Sequence, residues 1–441
     1  MKYSWILIIL VGCSTPYKIS NLAKKDMVNN TALANTNMGI CLYNATSNEY
    51  LYNYNAQKYY VPASNTKILT CYAAMKYLGD SLVGLRYKRK DSTYQLFGTA
   101  DPTFMHPDFA TQPVLDFFKN THHQYYINNN HYNEEPYGDG WAWNDYTEDY
   151  MAERSSFPIY GNVFEIKKMG KGVYESYPTY FLKPKNVYSN TNEATRTQPF
   201  IANDSFDIMR EKNSNYFNFK INHTLFTKQT VPFITSPDLT LTLVYDSLQT
   251  HFAKHKNYIT YGKQNVMEKI YSQPTDSMLK PMMHYSDNFF AEQSLLLVSN
   301  EKLGIINDEA IINYIKNNDF VGIPQMPRWV DGSGLSRYNM ITPQALVWVL
   351  NKMKNEFGME RIKNIFATGG EGTLSNLYKA QKGLIYAKTG TLSNHTALSG
   401  YLYTKHKQLI IFSVLTSGYQ GSATPTRKAI EKLLTQIQQL Y

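Results

Sequence analysis

Between residues 38 and 54 apolar and polar positions alternate, which predicts two strands, 38–44 and 50–53, around the turn-like run Ala45-Thr46-Ser47-Asn48. After Val61-Pro62-Ala63 the period changes. Ile68, Tyr72, Met75 and Leu78 recur at helical spacing and Gly79 marks a stop, so an amphipathic helix is expected there. A second helix is expected from near Asp287, and a third from Thr342 as N-cap with Pro343 in the first helical position. Residues 386–391, 397–403 and 408–415 read as successive strands of an antiparallel sheet. Thr424-Pro425 then opens a final helix with Ile430, Leu433, Leu434, Ile437 and Leu440 on one face. Residues 103–272 have a different texture, with short strand-like pieces, many Tyr and Asn, and no long helical period. The expected organisation is a core built from 36–102 and 273–441, interrupted at 103–272 by an inserted, mainly β module.

With 43% hydrophobic and 18% charged residues in 441, the chain has matter for a sizeable core and too little charge for a disordered one. A net charge of +9 favours anionic partners, but no basic block or nucleic-acid motif accompanies it, which argues against nucleic acid. At the N-terminus Lys2 precedes the apolar run Ile6 to Val11, too short to span a membrane and laid out as a signal peptide. Leu10-Val11-Gly12-Cys13 resembles the bacterial lipobox, which implies a signal segment 1–13 and a lipid anchor on Cys13. The polar residues 14–35 are expected to be a tether between lipid and domain. Only Cys41 and Cys71 remain, so neither a disulfide framework nor a metal cluster is expected; the two could pair or stay as buried thiols.

Acyl transfer by a serine needs a base in reach, an oxyanion site and a group that holds the substrate carboxylate. Ser64-Asn65-Thr66-Lys67 sets a hydroxyl and an ammonium three residues apart at a helix start, on one face. Ser277 to Lys280 and Ser299 to Lys302 have the same spacing, so that pattern alone decides nothing. Ser286-Asp287-Asn288 and Lys388-Thr389-Gly390 each occur once and follow Ser64 in order, completing the set shared by penicillin-binding proteins and class A β-lactamases.

With these residues the chain resembles the D-Ala-D-Ala carboxypeptidase/endopeptidase family of penicillin-binding proteins, peptidase family S13. The likeness extends to Pro62-Ala63 before the nucleophile and to Phe289-Phe290-Ala291-Glu292 after the second motif. Asp331-Gly332-Ser333-Gly334-Leu335-Ser336 and Gly370-Glu371-Gly372-Thr373-Leu374 are further likenesses. Asp101-Pro102-Thr103 and Gly140-Trp141-Ala142-Trp143-Asn144-Asp145 are weaker ones. After Ala152 the sequence departs from the family, with Glu153-Arg154-Ser155-Ser156.

The resemblance implies an α/β penicilloyl-transferase fold, an antiparallel sheet flanked by helices, acting on peptidoglycan stem peptides and inhibited covalently by β-lactams, without metal or cofactor. It implies that Ser64 is the nucleophile and Lys67 its base, with backbone N–H groups of Ser64 and Thr391 as the oxyanion hole. Ser286 would relay a proton to the leaving amine and Asn288 would hold the acyl side. Lys388, with Thr389, Gly390 and Thr391 on its strand, would receive the terminal carboxylate.

Two rival readings are a non-hydrolysing penicillin sensor or scaffold and a β-lactamase. Glu309 to Asn313 mimics the spacing of a β-lactamase deacylating pair, but its Glu should face solvent on an amphipathic helix. The turn at Asp331 lacks the alternating carboxylates of a calcium loop and is expected to line the cleft, and His122-His123 is expected at the surface.

Overall fold

The computed structural model of the protein describes residues 14–119, 124–170, 173–182, 187–188, 206–221, 228–249 and 267–441. Its largest sheet has six strands, all antiparallel. Their order is Ala367–Thr368, Ile385–Leu392, His395–Tyr403, Leu409–Ser417, Asn37–Asn44 and Glu49–Tyr54. Both ends of the chain therefore meet in one sheet, where Met38 pairs with Thr416. Successive side chains of a strand point to opposite faces, and here both faces are covered. Leu409, Ile411 and Leu415 enter the core of the helical region, while Ile410, Phe412 and Val414 enter a second core under the terminal helix Thr424–Leu440.

The helix expected after Ala63 runs over Lys67–Tyr77, but it is not amphipathic, since every residue from 67 to 75 is buried. It is the central helix of a bundle and packs against Thr275–His284, Asn288–Leu303 and Pro343–Ile365 at once. Its polar positions are absorbed internally, as when Thr70 Oγ1 donates to the Gly332 carbonyl at 2.6 Å. The helix starts expected at 287 and 342 stand where their caps put them. Asp287 Oδ1 accepts from Phe290 N at 2.8 Å, and Thr342 Oγ1 from Ala345 N at 3.0 Å.

Two expectations need correction. Residues 14–35 are not a free tether: Ser14–Ala23 is an α-helix, followed by short turns of helix to Leu33. Ile19, Ala23 and Met27 recur at helical spacing and are buried with Leu33 against Ile430, Leu433 and Ile437 of the terminal helix. Asp26 adds an ion pair to Lys432 at 2.7 Å. Cys13 itself lies outside the described residues, as do His122 and His123.

The second correction concerns the inserted module, which begins before residue 103. Strands Ser81–Lys90 and Thr93–Gly98 already leave the helical region and form a four-stranded sheet with Gln124–Ile127 and Glu268–Pro274. Leu85 and Leu96 are buried with Phe104, Phe118, Phe157 and Val244 in a core separate from that of the helical region. Two three-stranded sheets and the helix Pro237–Leu248, capped by Ser236, complete the described part of this module. Cys41 and Cys71 are free and buried.

Met27 tests the N-terminal correction. Met27→Ala should lower stability by about 2 to 5 kcal/mol, as for a large side chain removed from a core, measured by urea unfolding. A free tether would give no change.

Candidate active site

Ser64 sits on the short turn Ala63–Thr66 that enters the central helix, and Ala63 is held at φ +48°. Asn65 Nδ2 donates to the Lys388 carbonyl at 2.9 Å, which ties this turn to the strand Ile385–Leu392. Two glycines make the close approach possible. A Cβ on Gly334, at φ +83°, would lie 1.9 Å from the Ala63 carbonyl oxygen, and one on Gly390 would lie 2.7 Å from that of Pro62.

Lys67 is fully buried. Its Nζ donates to Ser64 Oγ at 3.1 Å, to Asn288 Oδ1 at 2.7 Å and to the Ser333 carbonyl at 2.8 Å, so all three donors are used. Burial pulls its pKa down from the ordinary 10.5 to about 8, against the opposing pull of Asp287, Asp331 and Glu292. Ser286 is held at φ +64°, and Lys388 Nζ donates to its Oγ and to the Thr389 carbonyl, both at 2.8 Å. Burial, and then the neighbouring Lys67, hold Lys388 well below the usual lysine range.

The structure thus joins Ser64, Lys67 and Asn288 in one hydrogen-bonded group and Ser286 and Lys388 in another, with Ser64 and Ser286 on the same cleft. That cleft, of about 360 Å³, is lined by Ser64, Ser286, Thr389, Gly390 and Thr391. Lys388 is not on the cleft wall: it has no exposed surface, and its ammonium is directed at Ser286. The decoys fall away, because Ser277 and Lys280 are exposed on a helix surface and Ser299 is buried, donating to the carbonyls of Ile305 and Asn307. Glu309 is exposed and lines no part of the cleft. Among the described residues no cluster could hold a metal ion.

The expected turn at Asp331 is a buried support rather than an open wall of the cleft. Asp331 accepts from Gly334 N, Ser336 N, Asn339 Nδ2 and Trp141 Nε1 at 2.6–3.0 Å, and the loop so formed presents the Ser333 carbonyl to Lys67. Glu292 Oε1 holds the same loop from behind by accepting from Ser333 N at 2.7 Å.

The inserted module reaches the site twice. The Tyr150 carbonyl accepts from Asn288 Nδ2 at 3.1 Å, and Arg154 is buried with Glu134 at 2.9 Å and Glu292 at 3.9 Å. One residue that no motif flagged also lines the cleft: Arg427, whose Nη2 donates to Thr391 Oγ1 at 2.8 Å. No local pattern in the sequence could have found it, because only packing of the terminal helix brings it there.

Residues 21–438 match the D-Ala-D-Ala carboxypeptidase 3 (S13) family. The chain belongs to that family. It is a serine peptidase of the D-alanyl-D-alanine carboxypeptidase class, with the α/β fold expected from its motifs. A D-alanyl-D-alanine carboxypeptidase of an Actinomadura species is 24% identical over 442 residues, covering 89% of this chain and 80% of that one. The crystal structure of penicillin binding protein 4 from Haemophilus influenzae superposes with a TM-score of 0.71 at 18% identity, covering 96% and 99% of the two chains. A penicillin G-acylated predatory endopeptidase from Bdellovibrio bacteriovorus gives 0.51 at 15% identity, covering 91% and 93%.

For this S13 peptidase, Asp331→Asn should turn an acceptor oxygen into an amide nitrogen facing N–H donors. The expected cost is on the order of 2 to 4 kcal/mol, read as a lower denaturation midpoint together with slower penicillin labelling. An unchanged midpoint would mean that other contacts hold the loop.

Proposed function

We propose that the protein hydrolyses the D-alanyl-D-alanine bond of peptidoglycan stem peptides, in terminal or cross-linked form, through an acyl-enzyme on Ser64. The observation that carries this reading is the Lys67 ammonium, buried, with its pKa near 8, and in contact with both Ser64 Oγ and Asn288 Oδ1. Neutral Lys67 takes the Ser64 proton as Oγ adds to the carbonyl carbon of the penultimate D-alanine. The oxyanion is received by the backbone N–H groups of Ser64 and Thr391, each donor worth about 3 to 4 kcal/mol.

Ser286 delivers a proton to the departing amine, and Lys388, in contact with Ser286 Oγ, holds that hydroxyl in place and assists the transfer. Water then hydrolyses the ester. Asn288 holds the acyl side, and the hydroxyls of Thr389 and Thr391 receive the terminal carboxylate. The burial of Lys388 favours this division of labour over direct contact between its ammonium and the carboxylate. β-Lactams follow the same first step and remain as the ester.

A peptidoglycan substrate, and the likeness to D-alanyl-D-alanine carboxypeptidase DacB and penicillin binding protein 4, support a location in the cell envelope. Among the described residues no helix is long and apolar enough to cross a membrane. We assign membrane attachment to lipid on Cys13, on the strength of Leu10-Val11-Gly12-Cys13.

Two outcomes are expected. Ser64→Ala should abolish covalent labelling by a fluorescent penicillin while leaving the melting temperature near that of the wild type; undiminished labelling would overturn the nucleophile. The second concerns pH. Lys67 accepts a proton only when neutral, so protonation below its pKa removes the base. The second-order acylation rate should therefore fall about tenfold per pH unit below about 8 and level off above it. A profile flat through that region would take the base role from Lys67.

A further inference from the structure

Arg427 stands in the first turn of the terminal helix Thr424–Leu440, outside every motif of the active site. Of the described residues that line the cleft beside Ser64, it alone is charged; the rest are Ser, Thr, Tyr, Gly and apolar side chains. The lysine that the third motif contributes is withdrawn from the wall, with its ammonium committed to Ser286 Oγ and the Thr389 carbonyl. A substrate carboxylate entering this cleft therefore meets hydroxyl groups and one guanidinium.

Arg427 is exposed and donates a hydrogen bond to Thr391 Oγ1, and among the described residues no carboxylate pairs with it. The Thr391 contact ties the guanidinium to the residue whose backbone N–H is assigned to the oxyanion hole. A planar guanidinium can hold a carboxylate by two parallel bonds, which gives direction as well as charge.

We propose that Arg427 is the residue that recognises the carboxylate adjacent to the leaving amine, and that it selects substrates in which the released amine bears an α-carboxylate. Free D-alanine is one such leaving group. The amine of a cross-linking diamino acid is another, provided a carboxylate sits on the same carbon. This inference rests on the peptidase reading above and names its leaving-side specificity.

The test uses a matched pair of N-acylated D-alanyl thioesters that differ only in the leaving thiol: thioglycolate, which carries a carboxylate, and its methyl ester, which does not. Wild type, Arg427→Gln and Arg427→Lys are compared by kcat/KM, with melting temperatures to check folding. Arg427→Gln should lose about ten- to a hundredfold on the thioglycolate substrate, the range of one charge-assisted pair, and less than about twofold on the methyl ester. Arg427→Lys should recover part of that loss. Equal losses on both substrates would overturn the inference and make Arg427 a support for Thr391. A wild-type enzyme that turns over neither substrate would instead overturn the peptidase reading, and this inference with it.

Discussion

An ammonium with no access to water is the constraint around which this catalytic domain is arranged. Lys67 must be surrounded on every side, which is why its helix is buried all round and why three separate segments supply acceptors to it. Carboxylates stand nearby, but each is committed elsewhere: Asp287 caps a helix, Asp331 gathers four donors, and Glu292 holds Ser333 N. The ammonium therefore touches only neutral oxygens. A direct carboxylate contact would have kept it charged, and desolvation without one lowers its hold on the proton.

Much of the frame was legible in the sequence because local signals and tertiary demands coincide there. Thr342-Pro343 and Asp287 cap helices by short-range hydrogen bonds that any context would allow, and the strands after 385 are short runs bounded by turn residues. The residues of the candidate site were legible by motif alone, since Ser64, Ser286 and Lys388 lie on three elements that only the fold brings together. What stayed hidden was set by packing. The polar residues around Ile19, Ala23 and Met27 disguise a docked helix as a tether. Leu239-Thr240-Leu241-Thr242-Leu243 alternates, yet Ser236-Pro237 starts a helix across it. The early edge of the inserted module was hidden because strand pairing between 81–90 and 268–274 has no local trace.

The departure at Glu153-Arg154-Ser155-Ser156 explains how module and catalytic domain are joined. All four residues are buried. Ser155 exchanges backbone hydrogen bonds with the Gln293 side chain, and Arg154 reaches the Glu292 that supports the Ser333 loop. Burial and the nearby Asp331 push Glu292 up to about 7, against the pull of Arg154. A short stretch of the module thus stands directly behind the loop that accepts a hydrogen bond from Lys67.

The pairing of Met38 with Thr416 also dictates an order of events in folding. Strand Asn37–Asn44 is among the first parts of the described chain to be made, yet its neighbour Leu409–Ser417 is among the last. Until that neighbour arrives, one edge of the early hairpin has no partner, and closing so long a loop is slow. The described core of the inserted module draws only on residues between 85 and 270, so every part of it is made before the C-terminal strands. A ribosome or translocase that stalls after the module would release a chain with one formed domain and an open, apolar strand edge, which is the kind of intermediate that holding chaperones bind.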